Sequence, residues 1–199
     1  MSVYGANLAP ATEHAPRVPL PLTMQGVTAT VNGISAPLLD VLSGQLNIQV
    51  PYETGAGTAI LGVNNNGQVA YFPFQVTPSA PGIFMTEDGA GNLVPFPSGQ
   101  TGQELLAFIT GEGDVTPPLI TGAPPTTFVV SKLPAPALPL TITVGGVPAT
   151  IDFAGVPDFL VGVTQINFTV PAGVPLGPQP VVVTVGGVAS PPVTLTITQ

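Results

Sequence analysis

The residues most able to carry chemistry are few, and a single histidine stands among them. His14 lies in the run Glu13-His14-Ala15-Pro16, and the chain contains no cysteine. A triad of serine, histidine and carboxylate would have to be built on His14, because histidine is the base that activates the serine. The flanking residues predict an exposed loop, and no serine lies in a nucleophile-elbow motif. The sequence therefore predicts no catalytic residue and a protein that is not an enzyme.

The ten carboxylates could together hold a hard cation such as calcium. Ca²⁺ takes several oxygen ligands from flexible loops, and the best local cluster is Glu87, Asp88 and Asn92, followed by Glu112 and Asp114. Neither spacing matches a calcium loop, and Asp-Gly and Gly-Asn are ordinary turn residues. We therefore predict no metal and no cofactor, with Glu87, Asp88 and Asn92 as the candidates if calcium binds.

Residue counts argue against two further chemistries. Glycoside hydrolysis needs an acid and a base that flank a cleft, and such clefts are lined by aromatic platforms. The chain has no tryptophan and three tyrosines, which also counts against a typical sugar-binding groove. An isopeptide bond would have to use Lys132, with Asp152 or Glu112 as its catalyst, and the presence of one lysine argues against it.

Two amide side chains recur in both halves of the chain. Gln45-Leu46-Asn47 in the first half matches Gln165-Ile166-Asn167 in the second. These amides could contact a ligand, or they could satisfy backbone groups at a strand bend or sheet edge. Because both copies keep them just before a Val-Pro pair, we favour the structural interpretation.

These amides belong to a longer internal repeat, which sets the architecture. The run 31–36 followed by 45–51 recurs as 144–149 followed by 165–171. A repeat with the same order of strand and turn residues indicates two copies of one structural unit. The offset grows from 113 residues at Val31 to 120 at Gln45, so the second copy has seven extra residues, which we place in a loop near 153–163.

Each copy has the pattern of an all-β unit. Predicted strands cover 2–4, 27–31, 38–41, 46–50, 58–63 and 71–76, then 105–110, 140–144, 150–153, 165–170, 181–185 and 193–198. Asn-Gly and Gly-Gly between them are tight-hairpin signals, because both turn positions tolerate positive φ. The pattern predicts two tandem immunoglobulin-like antiparallel β-sandwiches without substantial helix, in residues 1–80 and 104–199. Residues 81–103 are predicted to be a connection with a hairpin tip.

The composition limits the setting and the partners. Lys, Arg, Asp and Glu make up 6% of the chain, far below the roughly 25% that is usual, and the net charge is −8. This excludes a basic footprint for nucleic acid. Pro and Gly interrupt every apolar run before it reaches the roughly 20 residues of a membrane helix, so no membrane insertion is predicted. The scarcity of basic residues suits an extracellular, protease-rich environment.

The motifs also resemble a known family. They are Tyr4-Gly5-Ala6-Asn7-Leu8-Ala9, the two repeated runs described above, and Ala80-Pro81-Gly82-Ile83-Phe84. In this order they look like the C-terminal domain of large secreted acidobacterial proteins, and each half is more loosely similar to IPT/TIG immunoglobulin-like domains. The resemblance covers nearly the whole chain. It implies a pair of such sandwiches in an exported protein, without an established activity.

The functional prediction follows from the repeat, the low charge and the missing catalytic groups. We predict a non-enzymatic structural or adhesive module that is extracellular, secreted or at the cell surface, and that forms a homo-oligomer or polymer or binds other surface components. Assembly into a fibre or array would use strand edges, since little charge guards them. The self-association candidates are Ser2, Val3, Tyr4, Val193, Leu195 and Ile197. The alternative is a carbohydrate- or ligand-binding accessory module of a secreted enzyme, with Tyr52 or Phe96 as contacts.

Overall fold

The fold is known from a computed structural model that describes residues 1–84 and 98–199, together with the backbone of 86–87 and 93–94. Within these residues the regular structure consists of strands and two 3₁₀ turns, at Tyr52–Thr54 and Val130–Lys132. The predicted fold class, two tandem immunoglobulin-like antiparallel β-sandwiches without substantial helix, is confirmed. In the described part of the chain, no helix has the length and hydropathy of a membrane span.

The strands are short, as the frequent turn residues predict. The first eight are β1 (Ser2–Tyr4), β2 (Glu13–His14), β3 (Val27–Val31), β4 (Ile34–Ala36), β5 (Leu38–Val41), β6 (Gln45–Ile48), β7 (Gly57–Asn65) and β8 (Gln68–Val76). The next seven are β9 (Gly82–Ile83), β10 (Thr86–Glu87), β11 (Leu93–Val94), β12 (Gly99–Gln100), β13 (Glu104–Thr110), β14 (Val115–Thr116) and β15 (Ala135–Pro136). The last seven are β16 (Leu140–Val144), β17 (Val147–Pro148), β18 (Thr150–Gly155), β19 (Thr164–Thr169), β20 (Gly177–Val185), β21 (Val188–Ala189) and β22 (Val193–Thr198).

The chain divides into two compact units, and each unit combines three separate stretches of the sequence. The first unit comprises Met1–Pro78, Leu119–Thr126 and Phe159–Gly162, and the second comprises Ser79–Pro118, Thr127–Asp158 and Val163–Gln199. The first boundary lies close to the predicted one at residue 80. Two short segments from the predicted second domain nevertheless belong to the first unit. One of them, Phe159–Gly162, lies within the predicted seven-residue excess.

The first unit is a sandwich of two four-stranded sheets. Sheet I has the strand order β1-β6-β5-β2, and sheet II has the order β4-β3-β7-β8. Alternate side chains of β3 are buried, which gives the period of two that is expected for a half-buried strand. The core lies between the sheets and includes Val27, Val31, Leu38, Val41, Leu46, Ile48 and Leu61.

The second unit repeats this plan with its own core. Sheet III has the order β18-β19-β13-β9, and sheet IV has the order β12-β22-β20-β16-β17, with β21 beside β20. Its core includes Ile109, Ile142, Ile166, Phe168, Val181, Val183, Leu195 and Ile197. β12 pairs with β22 in the parallel direction, whereas the other pairs are antiparallel.

The repeated turns are the tight hairpins that the sequence predicts. Asn32 and Gly33 have φ of 51° and 79°, and Gly145 and Gly146 have φ of 59° and 79°. Two successive positive φ values define the type I′ turn, whose twist matches that of the flanking strands. These turns join β3 to β4 and β16 to β17, so the repeat of turn residues is a repeat of hairpins.

The segment 119–126 is held in the first unit by polar groups near the end of β6. The buried Gln49 side chain accepts a hydrogen bond from the Gly122 amide at 2.6 Å. Thr121 donates to Glu53 at 2.7 Å and accepts from the Tyr52 amide at 3.1 Å. This Pro-rich stretch has no periodicity of its own, so these hydrogen bonds determine its place.

We expect Gln49→Ala to destabilise the first unit by about 1 to 3 kcal/mol, because it leaves the Gly122 amide buried and unpaired. Tyrosine fluorescence during urea unfolding measures this, since Tyr4, Tyr52 and Tyr71 all lie in the first unit. The control is Gln75→Ala, which removes an exposed amide that donates to Thr58 at 2.8 Å. Equal losses from the two substitutions would contradict an anchoring role for Gln49.

Candidate functional site

In the part of the chain that the structure describes, the histidine and carboxylates considered for chemistry do not form a catalytic arrangement. His14 lies in the two-residue strand β2 rather than in a loop, and its Nδ1 pairs with Asp40 at 2.5 Å. Of the calcium candidates, Asp88 and Asn92 lie outside the described residues, and only the backbone of Glu87 is described. The described residues contain no group of three or more His, Asp or Glu side chains that could hold a metal ion.

The structure describes most of the other residues considered for ligand contact or isopeptide chemistry. Tyr52 is half-buried, and Phe96 lies outside the described residues. Lys132 is exposed, and the Asp152 carboxylate accepts a hydrogen bond from Thr169 at 2.8 Å. Glu112 is buried, which raises the pKa of its carboxyl to about 7.

The predicted self-association strands differ in how exposed they are. Ser2 and Tyr4 are exposed on β1, an edge strand of sheet I, whereas Val3 between them packs against the core. β1 is paired with β6 over Ser2, Val3 and Tyr4, so this strand is already docked in its own sheet.

The candidates in β22 occupy inward-facing positions of their strand. Val193, Leu195 and Ile197 are buried in the second core, because their side chains alternate inward along the strand. β22 pairs with β20 along its length and with β12 at its end, and β20 lies inside sheet IV. Val181–Val185 is therefore not an open edge, and the three β22 side chains are core residues.

The recurring Gln and Asn side chains form a row of hydrogen bonds across the outer face of sheet I, which we call the polar ladder. Asn47 Nδ2 donates to Asp40 at 2.8 Å, and Asn47 Oδ1 accepts from Gln45 at 2.8 Å and from Ser2 at 2.9 Å. The Asp40 carboxylate also pairs with His14. The ladder therefore runs through β1, β6, β5 and β2, and it joins side chains to side chains rather than to backbone groups.

The second unit contains a matching ladder on sheet III. Gln165 donates to Asn167 at 2.7 Å, and Asn167 Nδ2 donates to Glu104 at 2.8 Å. The strand beside each Gln-x-Asn strand carries a bulge, between Leu38 and Asp40 in β5 and between Ile151 and Phe153 in β18. In the first ladder the carboxylate partner Asp40 lies on the bulged strand, whereas in the second ladder the partner Glu104 lies on β13, on the other side of the Gln-x-Asn strand.

Sheet II and sheet IV differ from the ladder sheets because their strands contain no Asp, Glu, Lys, Arg or His. Each sandwich therefore has one sheet with carboxylates and one without charge. In a chain of net charge −8, the uncharged sheets are the surfaces on which two copies can approach without charge repulsion.

The edge strand β8 of sheet II is the most open of the uncharged surfaces. It has nine residues, whereas the other edge strands of sheets I, II and IV have two or three. Tyr71 and Phe72 are 73% and 66% exposed. Tyr71 lies beside Gly62, where a Cβ would stand 3.1 Å from the Tyr71 ring, so this glycine lets the ring lie close to the backbone.

The orientation of the β8 backbone follows from its neighbour. Ile60 of β7 bonds Asn32 through both its amide and its carbonyl, so these groups point away from Pro73, its partner on β8. Ile60 and Pro73 are therefore a non-hydrogen-bonded pair, and the Pro73 backbone faces the open edge. By the same alternation, the amides of Val69, Tyr71 and Gln75 also face this edge.

Comparisons with known proteins find similar solved structures but no matching family. No family model and no curated protein matches the chain. Similar solved structures include SGBP-B from a complex xyloglucan utilization locus in Bacteroides uniformis (15% identity, TM-score 0.33) and the I9–I11 tandem from titin (12% identity, TM-score 0.28). Each aligns with 98% of this chain, which covers 43% of the former protein and 62% of the latter. Domains 4–9 of the surface layer protein SbsC align with 86% of this chain at 14% identity and TM-score 0.25, over 22% of their own length.

Proposed function

We propose that this chain is a non-enzymatic, extracellular structural module that associates with a second copy of itself through β8. The observation that carries the proposal is the nine-residue uncharged edge strand with exposed aromatic side chains. A long apolar edge is a template for pairing with another chain, and natural proteins usually blunt such edges with lysines or charges. None of these charges is present in β8.

The β8 sequence is self-complementary when two copies pair in the antiparallel direction about Phe72. Tyr71 then faces Pro73 of the second copy, and Ala70 faces Phe74, so that a large side chain meets a smaller one. The outward amides of Val69, Tyr71 and Gln75 meet carbonyls of the second copy, and Pro73 costs one donor in each. Because the same strand serves both copies, the interface is isologous and closes as a dimer.

We expect Phe72→Lys to weaken dimerisation at least about tenfold, which corresponds to roughly 1.4 kcal/mol. The two lysines would stand opposite each other, about 4.5 Å apart between Cα atoms, and like charges there repel. Sedimentation velocity over a wide range of protein concentration measures the dissociation constant. The matched control is Phe128→Lys, which changes a phenylalanine that is 85% exposed in the second unit.

A substitution that should strengthen the dimer provides a second test. Pro73→Val restores a donor at the open edge of each copy, so we expect it to tighten the dimer. A wild-type chain that stays monomeric at high concentration would contradict the proposal. Equal weakening by Phe72→Lys and Phe128→Lys would also contradict it, because the effect would then be one of charge alone.

A further inference from the structure

We propose that the outer face of sheet I binds a neutral, hydroxyl-rich ligand of the saccharide class, with Tyr4 as its stacking platform and the polar ladder as its hydrogen-bonding row. This function is additional to self-association, and it uses the opposite sheet of the same unit. It also differs from the ligand contacts expected from the sequence, Tyr52 and Phe96.

The ladder is organised before any ligand arrives. Each of its side chains is fixed by a bond to the next, from Ser2 through Asn47 and Asp40 to His14, at 2.5 to 2.9 Å. Four strands spaced about 4.8 Å apart carry these groups, so the row extends about 14 Å. Side chains that are already ordered lose little conformational entropy on binding, which favours recognition of a weakly binding ligand.

The ladder leaves both hydrogen-bond donors and hydrogen-bond acceptors available to a ligand. Among the residues that the structure describes, no protein group bonds the Gln45 Oε1 acceptor or Nε2 of the exposed His14. The second amide hydrogen of Asn47 is a further donor. A hydroxyl both donates and accepts, so a ligand rich in hydroxyls matches a row of mixed donors and acceptors.

Tyr4 supplies the apolar surface that such a ligand needs. Its side chain is 75% exposed, and it lies directly across the β1–β6 pair from Gln45. Residues directly opposite each other in a sheet have Cβ atoms about 5 Å apart, so the ring and the amide are within reach of one ligand. The ring offers a ligand an apolar contact, and the fixed polar groups beside it offer hydrogen bonds.

The charges of the face select against anionic ligands. Asp40 is its one carboxylate, and that group is bonded to His14 and to Asn47. With a net charge of −8 on the chain, acidic polymers are repelled from the surface. The predicted ligand is therefore neutral.

The second unit provides an internal comparison. Its ladder keeps Gln165, Asn167 and a carboxylate, and Phe108 occupies the position opposite Gln165. Phe108 is half-buried and lacks a hydroxyl, and β9 covers the open side of its strand. The position of β1 at the edge of sheet I has no such cover among the described strands, so the platform is open in the first unit alone.

Affinity electrophoresis of the full chain tests the proposal. The gels contain neutral polysaccharides (β-glucans, mannans and xylan) or the acidic polymers alginate and polygalacturonate. We expect at least one neutral polymer to retard the wild-type chain and neither acidic polymer to do so. Tyr4→Ala should weaken binding by roughly tenfold or more, because it removes the platform. Tyr4→Phe should retain most of the binding.

Two matched controls separate this face from nonspecific adhesion. Phe128→Ala removes an aromatic side chain that is 85% exposed in the second unit, and Asn167→Ala breaks the ladder of that unit; both should bind like wild type. Asn47→Ala should weaken binding, and His14→Ala at an exposed position does the same if Asn47→Ala fails to fold. The proposal is overturned if no neutral polymer retards the wild-type chain, if Tyr4→Ala binds normally, or if Phe128→Ala loses as much binding as Tyr4→Ala.

Discussion

Raising the pH from 5 to 8 should lower the stability of the second unit by roughly 2 to 3 kcal/mol through Glu112 alone. Glu112 is 3% exposed, and burial raises the pKa of its carboxyl from 4.5 to about 7, although its own backbone amide partly offsets this rise. The buried Thr164 hydroxyl lies against the carboxyl, but their geometry does not make a hydrogen bond. The folded state therefore holds this proton more tightly than the unfolded state does.

The direction of the pH effect on stability follows from the difference between the folded and unfolded pKa of Glu112. The stabilisation by protonated Glu112 is fully present below pH 4.5 and is lost as the pH rises through the folded pKa of about 7. Urea unfolding at pH 5 and pH 8, followed by circular dichroism, measures the change. Tyrosine fluorescence would miss it, because the chain has no tryptophan and its tyrosines lie in the first unit.

Glu112→Gln isolates the contribution of this side chain. The amide has nearly the same shape and stays neutral, so we expect the pH dependence of the variant to be smaller by roughly 2 to 3 kcal/mol. Asp114→Asn is the control, since Asp114 is an exposed carboxylate two residues away. If Glu112→Gln keeps the wild-type pH dependence, Glu112 is not the titrating group.

Gly111→Ala should destabilise the second unit by about 3 kcal/mol or more. Gly111 has φ of 74°, and a Cβ at this position would lie 1.9 Å from the Ala80 carbonyl oxygen. The collision is with backbone, so relief requires the chain to move and to disturb the bond from the Ala80 amide to the Gly111 carbonyl, at 2.8 Å. Circular dichroism during urea unfolding measures the loss.

Gly102→Ala separates the collision from the backbone conformation. Gly102 has φ of 81° in the same unit, and a Cβ added there would have no heavy atom within 4 Å beyond its chain neighbours. This substitution should cost about 1 kcal/mol, the penalty for a left-handed alanine. Equal losses at the two positions would show that the Ala80 carbonyl does not determine the effect.

Alternation of residue types over a few positions predicts the bounds of several strands correctly. The structure has the predicted bounds for β3, β5, β16 and β22. Runs of Val, Ile, Leu and Thr between turn residues are typical of strands. The same patterns do not determine the order of the strands in a sheet. The alternation of β22 does not reveal that β12 pairs with its end, and the role of β22 in association stays a prediction.

The candidate surfaces were only partly predictable for the same reason. The repeat identifies Gln45 and Asn47 as special, but their carboxylate partner Asp40 lies on another strand in a register set by a bulge. The structural interpretation expected these amides to bond backbone groups, and instead they bond side chains. β8 was predicted to be a strand, but its edge position depends on strand order, which local patterns do not encode.

The segments 119–126 and 159–162 also affect how the protein is made. Synthesis runs from the N-terminal side, yet the first unit includes two segments that are synthesised after parts of the second unit. Its sandwich can begin to form early, but the amide that bonds Gln49 is absent until residue 122 has emerged. We therefore expect folding of the N-terminal unit to be complete only after residue 162 has emerged, later than for a domain built from one continuous stretch.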